Sequence, residues 1–118
     1  MFVGITQITL AADRAFYLDS EAGNDANNGS ITKPFRSMNR LSQIALRAGD
    51  AVYLRGGQTF EGTITIKGSG TREKNILVTS YGAGTAEIYS GNGTAVIVRA
   101  SKFVAIKNIV LLGNGIKT

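Results

Sequence analysis

Two identical corners stand 22 positions apart in this chain: Gly91-Asn92-Gly93 and Gly113-Asn114-Gly115. Rows of 22 residues cut from Ala51 carry the regularity further. The fourth column reads Leu54, Ile76, Val98; the ninth Thr59, Tyr81, Phe103; the sixteenth Ile66, Ile88, Val110. The nineteenth to twenty-first columns hold turn residues in every row, with Ser69-Gly70-Thr71 as the first set. A fixed period with apolar columns and glycine turns in register marks a solenoid. Each row contains two or three short stretches rich in β-branched residues and lacks a leucine/asparagine consensus, so stacked β-coils fit better than leucine-rich repeats. A single coil cannot bury its apolar side chains. It gains a core when the next stacks on it about 4.8 Å away, each buried Leu, Ile or Val contributing roughly 1.5–3 kcal/mol. Glycine and asparagine at the corners tolerate the positive φ that a sharp turn demands. Neither Gly-Asn-Gly stands between a strand and a helix, so neither reads as a phosphate loop.

The residues before Ala51 are of another kind. Residues 15–19 (AFYLD) read as a strand, and SEAGNDANNGSITK as a polar loop. In PFRSMNRLSQIALRAG, Met38, Leu41, Ile44, Ala45 and Ala48 fall at helical spacing. Ser37 suits the N-cap and Gly49 the left-handed stop, which predicts a helix over 37–48. Residues 15–50 thus form an N-terminal cap covering the open end of coils spanning 51–118. Residues 1–14 read in two ways: the tail of a secretory signal peptide without its positively charged start, or an extra strand at the edge of the domain.

At 118 residues the chain is one domain at most. It has no cysteine and no histidine, which removes disulfides, Cys/His zinc sites and every catalytic device built on thiol or imidazole. The net charge of +5 reads either as a solvated surface with no partner or as a draw for an anionic one such as a uronic-acid polysaccharide, nucleic acid or a lipid surface. In sequence the basic residues are scattered, without the clustering or aromatic interleaving of a nucleic-acid binder. No apolar run approaches the roughly 18 residues of a membrane helix.

The segments Phe16-Tyr17, Gly23-Asn24-Asp25, Asn28-Gly29, Lys33-Pro34-Phe35, Ser37-Met38 and the run from Gly49 to Gly57 resemble the opening of the right-handed parallel β-helix proteins of the pectate-lyase-like superfamily. The resemblance extends from about Ala15 onward. It implies an all-β, right-handed parallel β-helix behind a capping strand, loop and helix; the 22-residue rows give about three coils, fewer than the family's usual stack. It also implies a secreted or cell-surface setting and a polysaccharide partner, acidic where the relative is a lyase. Lyases of the family cleave by β-elimination with a calcium-binding carboxylate cluster and a Lys or Arg base on later coils. No position here matches those motifs, so no catalytic, substrate-binding or metal-binding residue is assigned and no cofactor is expected in this chain. Calcium belongs, on this reading, to a longer parent. With no C-terminal cap in LLGNGIKT, the chain reads as a structural and inactive N-terminal fragment of such an enzyme, its partners being further coils of the parent. The alternative is a non-catalytic scaffold or sugar-binding adhesin.

The residues themselves agree with that restraint. Glycoside hydrolysis needs two carboxyl groups about 5–9.5 Å apart. In the 22-residue register Glu61 stacks on Ala83, Glu87 on Thr65 and Ile109, and Glu73 on Ala51 and Ala95, so no acid faces another. Arg55 and Arg99 share a column with Leu77 between them. Together with Lys67, Lys102 and Lys107 they read first as exposed charges and second as contacts for an acidic sugar. The DANNGS loop starts like an EF-hand, but its twelfth position is Arg36 where a glutamate is required. A looser calcium site from Asp19, Asn24 and Asp25 competes with Asx turns, in which those side chains bond their own backbone.

Overall fold

The computed structural model describes residues 13–99, 101–113 and, for the backbone, 116–117. The two readings of the N-terminal segment therefore fall, up to residue 12, outside the described residues, as do positions 114 and 115 of the second Gly-Asn-Gly.

Short runs with alternating burial make strands β1 (Ala15–Leu18), β2 (Ala45–Leu46), β3 (Ala51–Arg55), β4 (Thr59–Glu61), β5 (Ile64–Gly68) and β6 (Ile76–Tyr81). They continue as β7 (Ala86–Tyr89), β8 (Val96–Val98), β9 (Val104–Ile106), β10 (Ile109–Leu112) and β11 (Ile116–Lys117). One helical turn, α1 (Met38–Leu41), precedes β2. The strands form three sheets: β1-β3-β6-β9, β4-β7-β10 and β2-β5-β8-β11. Every pairing is parallel. From β3 onward the chain visits the first, second and third sheets in turn and then returns to the first. Parallel neighbours cannot be joined by a hairpin, and here the strands of the other two sheets serve as the crossover.

The inward positions of each sheet stack in register. Phe16, Val52, Val78 and Ile106 follow one another across the first sheet. Phe60, Ile88 and Leu111 do so across the second, and Ile64 lies on Val96 in the third. Val52, Ile64, Val78, Ile88 and Val96 are fully buried, so like side chains cover each other between circuits.

The 22-residue register is corrected. Val52 pairs with Val78, Phe60 with Ile88 and Ile64 with Val96. Leu54 faces Ser80, Ile66 faces Val98, and Tyr81 faces Arg55 rather than Thr59 or Phe103. The order of strands repeats while the corners vary. Residues 69–75 join β5 to β6, whereas 99–103 join β8 to β9. Extra corner residues bulge outside the stack at small entropic cost and leave the ladders intact. Gly91-Asn92-Gly93 lies in the corner from β7 to β8, and Gly113 directly follows β10. Ser69-Gly70-Thr71 sits at a different corner, and the first circuit turns at Gly62 instead. Gly62 and Gly91 have φ of 107° and 59°.

The helix over 37–48 is also corrected. Ser37 caps it as expected, its Oγ accepting from the Arg40 N–H at 3.2 Å. The helix ends at Leu41, and Ala45–Leu46 pairs with Lys67–Gly68 as β2. Ser42 fixes the switch: its Oγ donates to the Met38 carbonyl at 2.9 Å and accepts from the Thr65 N–H at 3.0 Å. Helical spacing gives way because β5 presents a strand edge that a ladder can satisfy and a helix cannot. Gly49 does take a left-handed φ of 86°, in the turn that leads into β3.

Three aspartates tie the turns of residues 13–50 together, and Asp19 also reaches the first circuit through Gln58 and Arg55. Asp50, 2% exposed, accepts from Arg14 Nη2 at 2.6 Å and Nε at 3.1 Å, and from the Arg47 N–H at 2.8 Å. Asp25 accepts from the Arg36 and Ser37 N–H groups, both at 2.9 Å, and from Ser37 Oγ at 2.7 Å. Asp19 accepts from the Ala22 N–H and from Gln58 Nε2, both at 2.9 Å. Burial pushes all three carboxyls upward, but these bonds and the neighbouring arginines outweigh it and hold each below the ordinary 3.8. A depressed folded-state pKa adds stability that is present above the ordinary value and lost as pH falls through the depressed one. Denaturant unfolding is therefore expected to show constant stability from neutral pH to about pH 5 and a decline below 3.8. Asp50→Ala should lose roughly 2–3 kcal/mol at pH 7 and flatten part of the acid decline.

Candidate functional site on the outer face of the first sheet

Alternation in β1, β3 and β6 sends every second side chain outward, and register lines these up along the stack. Ala15, Ala51, Leu77 and Ala105 form one outward column. The three alanines and Leu77 form a low floor, and a groove of about 580 Å³ lies over it. One wall is Tyr53 and Lys107; the other is Asp13, Glu73, Lys74 and Asn75. Lys74 Nζ is 3.2 Å from Asp13 Oδ1, which ties the 69–75 corner to the chain before β1.

The next two columns carry the tyrosines, Tyr17 and Tyr53 in one and Tyr81 in the other. Tyr17 and Tyr53 are register partners with rings stacked at 4.9 Å. Tyr81 meets Tyr17 edge-on at 5.1 Å and Tyr53 at 6.4 Å. Such pairs contribute about 0.5–1.5 kcal/mol beyond the area they bury. Arg55, the partner of Tyr81 across the ladder, holds its guanidinium 5.8 Å from the Tyr81 ring and 3.5 Å from Asp19. Gln58 completes the cluster: its Nε2 donates to Asp19, and its Oε1 accepts from Ser20 N–H at 2.8 Å and Ser20 Oγ at 3.0 Å. Asp19 is 4% exposed while the Arg55 side chain is 52% exposed. The anion is thus spent inside the protein and the cation is presented to solvent. Burial pushes the Tyr81 phenol above its ordinary 10.0, outweighing the hydrogen bond from Arg55. At neutral pH it stays protonated and able to donate.

The arrangement can bind by stacking and by charge-assisted hydrogen bonds. Among the described residues no group of three or more Asp or Glu side chains converges as a metal site would require. Asp19 and Asn24 accept from the Glu21 N–H and the Ala26 N–H, at 3.0 and 2.8 Å, as Asx turns do. Asp25 is taken up by the start of α1. Arg55 and Arg99 do not share a column: Arg55 lies on the first sheet and Arg99 follows β8 of the third. Lys107 reaches the groove, Lys67 lies opposite Ala45, and Lys102 lies in the corner before β9. Glu61 faces Tyr89 and Glu87 faces Thr59 on the second sheet, so these acids are diagonal neighbours and not partners of Ala83, Thr65 or Ile109. Glu73 lies in the 69–75 corner, away from any strand partner.

The tyrosine cluster was not read from the sequence, because the constant period set Tyr81 against Thr59 and Phe103. The available signal was an aromatic residue at the outward position in each of FYL and VYL.

No family model matches the chain, and no curated protein does. Among solved structures it is similar to the GH136 lacto-N-biosidase from Eubacterium ramulus, in both its native and selenomethionine forms. The TM-score is 0.81 and the identity 23%, over 86% of this chain and 20% of that one. It is also similar to a rhamnogalacturonan lyase, with a TM-score of 0.68 and 20% identity over 83% of this chain and 28% of that one. The shared property is the fold. The chain spans about a fifth of the length of the lacto-N-biosidase.

Ultraviolet titration of the phenols should include a component above the ordinary 10.0 that Tyr81→Phe removes.

Proposed function

We propose that these residues are the first circuits of a right-handed parallel β-helix in a secreted, carbohydrate-active protein, and that the outer face of the first sheet binds a saccharide chain. The observation that carries the reading is the Tyr17, Tyr53 and Tyr81 cluster with exposed Arg55 beside a low-floored groove. The C–H face of a pyranose ring stacks on an aromatic ring, and an arginine fork takes a sugar carboxylate through two parallel hydrogen bonds. An acidic polysaccharide suits Arg55 and Lys107 together. Fold likeness to both a hydrolase and a lyase supports carbohydrate chemistry for the whole protein, and the resemblance in sequence favours β-elimination. The present residues serve binding and scaffolding: they offer an aromatic and cationic surface on the first sheet, while the diagonal acids Glu61 and Glu87 lie apart from it on the second. A sugar-binding scaffold without cleavage is the second reading, favoured by the aromatic cluster itself.

Affinity electrophoresis and calorimetry with polygalacturonate and a neutral galactan test this. Polygalacturonate is expected to bind, Tyr53→Ala to weaken it roughly tenfold, and Arg55→Gln to weaken the acidic polymer while leaving any neutral binding unchanged. Failure of both polymers to bind, or full retention by Tyr53→Ala, would refute the site.

A further inference from the structure

The corner between the third sheet and the first gathers basic residues that are scattered in the chain. Three segments stack there: 47–50, 69–75 and, among the described residues, 99 with 101–103. Gly49 N–H donates to the Lys74 carbonyl at 3.2 Å, Gly70 N–H to the Lys102 carbonyl at 2.9 Å, and Lys102 N–H to Ser69 Oγ at 3.0 Å. These segments and the strand ends beside them carry Arg47, Lys67, Arg72, Arg99 and Lys102, all exposed. Among the described residues none of the five forms an ion pair, since the pairs present are Arg14 with Asp50, Arg55 with Asp19 and Lys74 with Asp13. Glu73 is the one exposed acid on these corners that lacks an ion pair. Glu21, Asp25, Glu61 and Glu87 lie instead on the 20–33 loop and the second sheet. The charge is therefore segregated, with a basic ridge running along the stack axis. The scattering seen in the sequence is corrected by the fold.

We propose that this ridge is a second binding surface, separate from the tyrosine face, for a linear anionic polysaccharide. Successive circuits lie about 4.8 Å apart, so the cations form a narrow line that a chain bearing sulfate or carboxylate groups along its length can follow. Exposed cations without internal partners keep their full charge for a ligand, and the attraction is screened by salt. A lipid surface is the poorer fit. Phe103 is the one large apolar side chain exposed in these corners, and interfacial binding needs a broad apolar face. Duplex nucleic acid is poorer still, because no helix or strand ribbon projects from the ridge to enter a groove.

The test uses the whole chain, with dextran sulfate as the probe and binding followed by calorimetry at rising salt. Wild type is expected to bind with an affinity that falls steeply with salt. The triple variant Arg72→Gln, Arg99→Gln, Lys102→Gln should bind roughly tenfold more weakly, since three exposed charge contacts are lost. A control with the same net charge, Lys33→Gln, Arg36→Gln, Arg40→Gln, on the 20–33 loop and in or just before α1, should stay within about twofold of wild type. Tyr53→Ala should bind dextran sulfate as wild type does, which separates failure here from failure of the tyrosine face. Circular dichroism checks that each variant folds, and the wild-type salt dependence stands without any variant. Equal weakening by both triple variants would overturn the ridge in favour of diffuse charge. Tighter binding to vesicles of anionic lipid or to duplex DNA than to dextran sulfate would overturn the polysaccharide assignment.

Discussion

Everything in this molecule hangs on the parallel ladders between successive circuits. No single circuit has enough apolar surface to make a core, and its strands are only two to six residues long. Stacking solves both problems at once. Val52 on Val78, Phe60 on Ile88 and Ile64 on Val96 remove side chains from water while the backbone groups pair along the same direction. The energetics is that of repeat proteins, a sum of weak units and neighbour terms. Residues 13–50 fit this scheme because β1 and β2 cover the edges of β3 and β5, and because buried carboxylates hold the connecting turns in place.

Once the interior is fixed by stacking, the exterior becomes a surface on which outward residues are aligned without further cost. An outward column of alanines and Leu77 makes a floor, outward tyrosines from two neighbouring columns make a stacking platform, and corner residues make ridges. Both proposed surfaces arise in this way, the tyrosine face from strand register and the basic ridge from stacked corners. They differ in kind. The first combines ring stacking with one oriented cation held by buried Asp19, which suits a defined sugar. The second is a line of free charge, which suits a polymer of high charge density.

The architecture was largely legible in the sequence, because it follows from a local pattern. Alternating apolar residues, β-branched runs and glycine corners at near-regular intervals fit few arrangements other than parallel strands returning on themselves. The polar loop at 20–33, the Ser37 cap and the positive φ at Gly49 and Gly91 were also readable, since each depends on its own residue's stereochemistry. Ala45–Leu46 was misread as helix because its conformation is set by its pairing with Lys67 and Gly68 of β5, 22 positions further on.

Register was the property that only the tertiary structure decided. A column assignment needs the length of every corner, and corner length carries almost no energetic signature of its own. A constant 22-residue step therefore set Tyr81 against Phe103 and Arg55 in line with Arg99. The true ladders bring Tyr81 to Arg55 and Tyr17 to Tyr53, and leave Arg99 to join Arg72 and Lys102 at another corner. By itself the sequence determined that the chain builds stacked parallel strands with apolar residues inward, because side-chain alternation is a local rule. Which outward residues meet, and so what the surface can bind, was decided by pairing between strands far apart in sequence.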